Sequence, residues 1–194
     1  MWIQEGICSF GDALIVREKE GEAAYQKRMQ STALQIANVK PIVQGEEVDS
    51  DETYQGDIYG KASFFMHTLR YIMGDEIFFP TLKKLATSSR YTYDTLVTTD
   101  DVERLFSSES KKPLKPLFDL YLRTVQKLEI GVKQLSDSTY TVKLNNLDGP
   151  WPIEVATSEG SRREMIDKNG VKVTSHGWPI VDPNVYYFKR VILE

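Results

Sequence analysis

The stretch Trp2-Ile3-Gln4-Glu5-Gly6-Ile7-Cys8-Ser9-Phe10-Gly11-Asp12-Ala13-Leu14 opens the chain and governs how the rest is read. Trp2, Ile3, Ile7, Phe10, Ala13 and Leu14 recur at helical spacing, which predicts a helix with one buried face. Glu5 lies within this apolar set, and Gly6 follows it directly. A carboxylate on a largely buried helix is costly unless it is paired, hydrogen-bonded or bound to a metal. The plainer alternative is a half-exposed first-turn acid that complements the helix dipole. Cys8, on the same helix, reads as a buried, inert thiol rather than a nucleophile.

Composition bounds what surrounds this helix. The chain has 194 residues, enough for one large or two small domains, and its 41% apolar and 11% aromatic content suffices for a packed core. A net charge of −4 with no basic stripe gives no sign of a nucleic-acid or anionic-membrane partner. One cysteine excludes an internal disulfide and a cysteine-rich zinc site. No apolar run reaches membrane-spanning length, and no signal-peptide series opens the chain. The abrupt apolar start, with no solvated lead-in, reads as a piece of a longer protein whose compartment is open.

Outward from the first helix, residues 17–37 keep helical character, with a junction near Gly21 beside the mixed charges Arg17-Glu18-Lys19-Glu20. Residues 38–56 read as a loop that carries the acids Glu46 to Glu52. These acids lack the alternating ligand spacing of an EF-hand and read as solvated. Ala62, Phe65, Met66, Leu69 and Ile72 form a helical stripe closed by Gly74, and Asp75-Glu76 opens a further helix through about Ala86. Thr99 or Asp100 is the expected cap of another helix. Lys111 to Pro116 is a basic turn, and a short helix follows at Phe118 to Thr124.

Near residue 125 the period changes from 3.6 to 2. Residues 128–133, 140–144, 152–156, 171–173 and 186–193 read as strands, with Lys168-Asn169-Gly170 as a tight turn. The expected fold is α+β: helical over 1–124, then a small β-sandwich over 125–194. His67 and His176 have no partner ligands in the pattern and read as packing or surface residues.

Two segments carry a resemblance. Trp2-Ile3-Gln4-Glu5-Gly6, with Ser9-Phe10 behind it, resembles the W-x-x-E-G-x-x-S-[YF] segment of the aminopeptidase N family of zinc metallopeptidases, which are gluzincins. Tyr59-Gly60-Lys61-Ala62-Ser63, then Leu69-Arg70, then Gly74-Asp75-Glu76-Ile77-Phe78, resembles that family's Y-x-K-G-[AS] segment and the helix after it, with Ala62 where the family usually has Gly. The Tyr121-Leu122-Arg123-Thr124 run is similar to the family's last helix before its sandwich.

The resemblance implies a thermolysin-like catalytic domain, of which this chain would be the C-terminal half with the following sandwich. It implies Glu5 as the third ligand of a catalytic Zn2+ and Tyr59 as the hydrogen-bond donor to the oxyanion. Peptides would be the substrates, cleaved by a metal-activated water. The other two ligands come from an H-E-x-x-H helix, and the substrate's amino terminus is held by a G-x-M-E-N element; this sequence contains neither. The chain alone is therefore expected to hold no catalytic zinc and to hydrolyse nothing. Two other readings stand beside this one: a non-catalytic relative serving as a binding or interaction scaffold, and a generic helical domain plus sandwich. The last places Glu5 and Tyr59 far apart; a catalytic origin places them on one wall of a cleft.

Overall fold

The computed structural model describes residues 1–45, 48–92 and 96–194. Its helices are α1 (Trp2–Glu20), α2 (Glu22–Gln35), α3 (Ser50–Thr53), α4 (Gly60–Met73), α5 (Asp75–Thr87), α6 (Thr99–Ser110) and α7 (Lys115–Leu122), with a 3-10 turn over Gly56–Ile58. The strands are β1 (Leu128–Ser136), β2 (Thr139–Leu144), β3 (Trp151–Thr157), β4 (Gly160–Ile166), β5 (Val171–Thr174), β6 (Ile180–Val181) and β7 (Lys189–Leu193). The fold is α+β, with a helical part followed by two small sheets.

Helix α4 is the centre of the helical part. Twelve of its fourteen residues are buried, so it is covered on every side, as expected of a helix that is apolar nearly all round. α1, α2 and α5 pack directly on it. On α1 the buried positions are Trp2, Gly6, Phe10 and Ala13, while Ile3, Ile7 and Leu14 are half-buried at the margin of the stripe. Gly21 (φ 90°) separates α1 from α2, and Gly74 (φ 77°) closes α4 while its amide bonds back to Arg70 O.

One sheet has the order β5-β2-β1-β7 and the other β4-β3-β6. β1 runs antiparallel to β2 (Val132 opposite Val142) and parallel to β7 (Ile130 opposite Val191). Alternate residues Tyr140, Val142 and Leu144 of β2 face inward, as do Trp151, Ile153 and Val155 of β3. Gly170 (φ 77°) makes the expected tight turn; a β-carbon there would sit 2.8 Å from Val142 O. The buried side chains of helices and sheets form one contiguous core. Thr68 Oγ1 donates to Tyr186 O (2.8 Å) and Arg163 Nη2 to Tyr71 O (2.8 Å), tying the sheets to α4.

Several expectations need correction. Cys8 is exposed, because it lies on the solvent side of α1 rather than among Trp2, Gly6 and Phe10. The cap of α6 is Thr98, in a reciprocal capping box with Asp101. Thr99 instead accepts from Trp2 Nε1 (2.9 Å), and Asp100 pairs with Arg123. Residues 38–56 contain the single turn α3, while Glu46 and Glu47 of the acidic stretch lie outside the described residues. The last strand begins at Lys189, not residue 186; Asp182 and Val185 take positive φ and bend the preceding segment. β4 and β6 were not legible as strands.

Candidate functional site

Glu5 and Tyr59 come together because α1 and the start of α4 cross at closest range one residue after Glu5 and three after Tyr59. A β-carbon on Gly6 would collide with the β-carbon of Ala62 and lie 3.2 Å from Ile58 O. Glycine at 6 and a small residue at 62 are therefore what let the two backbones meet. Glu5 stands just before this contact and Tyr59, the N-cap of α4, just before its own side of it. Glu5 is half-buried in the first turn of α1, so its placement also fits the dipole-complementing reading.

The Tyr59 hydroxyl has two neighbours. Tyr54 Oη lies 2.6 Å away, with the two rings edge to face at 6.0 Å. The hydrogen bond to Tyr54 pushes the Tyr59 phenol up to about 12, and partial burial and the Glu5 charge act in the same direction. The outcome is a hydroxyl that stays protonated at any ordinary pH and can donate. Tyr54 was not legible as a site residue, since it sits in an irregular acidic stretch outside either motif. Its spacing of five from Tyr59, across a 3-10 turn, was the only available signal.

Beside Tyr59 a cleft of about 310 Å³ opens between α1, α2 and the start of α4. Ser9 and Ala13 line it from α1, Arg28, Thr32 and Gln35 from α2, and Ser63 from α4. At its edge Asp57 is buried, its two oxygens accepting from the amides of Ala37 (3.0 Å) and Asn38 (2.6 Å).

Other residues of the two motifs hold the frame. Lys61 is buried and donates to Thr124 O (3.0 Å), joining α4 to the end of the helical part; burial pulls its ammonium down to about 8, against the opposing pull of Asp57. Arg70 grips Asp75 through Nε (2.6 Å) and Nη2 (3.0 Å) and Glu22 through both terminal nitrogens (3.1 Å each). Arg17 closes the network onto the same two acids. His67 is buried with Nδ1 2.7 Å from Tyr25 Oη, and His176 is exposed; neither comes near Glu5 in any contact of the structure.

Among the described residues no three or more His, Cys, Asp and Glu side chains are grouped to hold a metal ion. Glu5 can supply one ligand, and the donor set of the described residues does not by itself complete a zinc site.

No protein-family model matches the chain, and no curated protein matches its sequence. Among solved structures it is similar to Legionella pneumophila aminopeptidase A, described in complex with aspartic acid, at 16% identity and a TM-score of 0.69. The match covers 100% of this chain and 24% of that one, so the chain spans about a quarter of that enzyme's length. At this identity the likeness is one of fold alone.

Proposed function

We propose that the chain is the C-terminal part of the catalytic region of a zinc metallo-aminopeptidase, with residues 1–124 as the second half of the thermolysin-like domain and 125–194 as the sandwich that follows it. Glu5 is read as the third zinc ligand and Tyr59 as the oxyanion donor. The observation that carries this reading is the meeting of the two motifs: Gly6 packs against Ala62 where α1 crosses α4, and the charge of Glu5, 54 positions before Tyr59 in sequence, helps to raise the Tyr59 phenol. The gluzincin resemblance and the peptidase-like fold support it.

The remaining ligands are expected from an H-E-x-x-H helix outside this chain. Held by Glu5 and those two His, zinc would supply Lewis-acid polarisation of the scissile carbonyl and a water of lowered pKa. Within this chain, Tyr59 donates a hydrogen bond to the carbonyl oxygen as negative charge develops there. Either hydroxyl of the Tyr54–Tyr59 pair can donate across their 2.6 Å contact. Once the Tyr59 proton turns to the substrate oxygen, the Tyr54 hydroxyl can reverse and donate to the Tyr59 oxygen, and such chained hydrogen bonds strengthen one another. Glu5 contributes a negative ligand held at fixed geometry by α1. The substrates are peptides cleaved at their amino-terminal residue.

The test is Tyr59→Phe in the intact protein, assayed on aminoacyl substrates. Loss of one oxyanion donor lowers kcat by about 100-fold or more with KM little changed. Full turnover in the variant, or no turnover in the parent protein, would favour the non-catalytic scaffold instead.

A further inference from the structure

The cleft beside Tyr59 has a charge character that neither motif explains. Arg28 projects from the exposed side of α2 and lines it, and among the described residues its guanidinium forms no ion pair and no hydrogen bond. Elsewhere in the helical part the arginines at 17, 70 and 123 are each clamped by two or more acids. The one acid at the cleft, Asp57, is already committed to the amides of Ala37 and Asn38. The Thr32 hydroxyl likewise donates to Arg28 O (3.0 Å), so what remains open to a ligand is a cation together with the hydroxyls of Ser9 and Ser63 and the amide of Gln35, with Tyr59 at one side.

We propose that this cleft is a subsite for a carboxylate, with Arg28 as the residue that selects it. The carboxylate belongs to a peptide whose scissile carbonyl lies at Tyr59, either as an acidic side chain or as the free C-terminus of a short substrate. A guanidinium presents paired N–H donors that match the two oxygens of a carboxylate, and the hydroxyls can satisfy the remaining lone pairs. The subsite rests on the peptidase reading for its place beside a scissile bond. The carboxylate preference itself rests only on the cleft.

The test is an NMR titration of the isotope-labelled 194-residue chain with four probes: Ala-Ala, Ala-Ala-amide, Ala-Asp-amide and Ala-Asn-amide. The comparison of Ala-Ala with its amide reads the terminal carboxylate, and that of Ala-Asp-amide with Ala-Asn-amide reads the side chain. At least one carboxylate probe is expected to bind about tenfold or more tighter than its neutral match, as befits a charge-assisted hydrogen bond, with shifts at Ser9, Thr32 and Ser63. Arg28→Gln, at an exposed position, removes the preference, and Arg28→Lys keeps part of it. Equal binding within both pairs, the absence of any binding included, overturns the proposal, as does a preference that survives Arg28→Gln. A preference that depends on Arg28 while turnover of the intact protein ignores Tyr59→Phe would keep the subsite and remove the peptidase reading. Loss of the preference alone does the reverse.

Discussion

The backbone of Gly6 packs against the β-carbon of Ala62 at the crossing of α1 and α4, with no room for a further carbon between them. Gly6→Ala would ordinarily gain up to about 1 kcal/mol of helix propensity. Here the added methyl meets Ala62 and Ile58 O, and overpacking of this kind costs about 1–3 kcal/mol. The variant is expected to lower the urea midpoint and to separate Glu5 from Tyr59. Gly6→Ala combined with Ala62→Gly recovers part of both losses; a double variant no better than the single one would mean that the Ile58 carbonyl sets the limit.

The Tyr54–Tyr59 pair makes a spectroscopic prediction. Tyr54→Phe removes the hydrogen bond that contributes most to the raised Tyr59 phenol, so Tyr59 should titrate lower, toward its ordinary value near 10. NMR titration of ring-labelled tyrosine reads this directly. An unchanged Tyr59 would mean that Glu5 and partial burial hold it alone. In the intact protein the same substitution should reduce kcat less than Tyr59→Phe does.

His67 predicts acid sensitivity. Burial first, and the nearby Arg70 charge second, pull its imidazolium down to about 4, against an ordinary value near 6.5. Between those two values the unfolded chain binds the proton and the folded one does not, so stability falls as pH drops through this window. The loss approaches about 3 kcal/mol by pH 4. His67→Gln should flatten the dependence over pH 4–6.5. Loss below pH 4 should remain, because Glu22 and Asp75 are held below their ordinary values by Arg70 and Arg17.

The Arg70–Asp75 clamp lies at the opposite end of α4 from Tyr59 and predicts a stability effect without a chemical one. Asp75→Asn weakens the partner of a guanidinium whose side chain is 10% exposed, at a cost of about 2 kcal/mol. Turnover per folded molecule should be unchanged in the intact protein. A fall in kcat at full folding would mean that the clamp positions Tyr59 through α4.

Much of this architecture is written in local sequence. The helical junctions at Gly21 and Gly74 and the turn at Gly170 are visible because a positive φ needs glycine there. The stripe of α4 and the alternation of β2 are visible because one face of each is buried. β4 was hidden for the opposite reason: Gly160 to Arg163 are all exposed, so an edge strand with solvent on both sides shows no alternation. Glu5 and Tyr59 were found through motif resemblance, and Gly6 and Ala62 give that resemblance its physical cause. Tyr54 and Arg28 were missed because a tyrosine in an acidic loop and an arginine on a solvated helix face look ordinary until the fold sets them at one cleft.

The central claim, that Glu5 is a zinc ligand beside an oxyanion tyrosine, is tested most directly by metal analysis of the intact protein after dialysis. The parent protein and Tyr59→Phe are expected to retain stoichiometric zinc, and Glu5→Ala to lose most of it. Full zinc in Glu5→Ala, or none in the parent protein, would contradict the account.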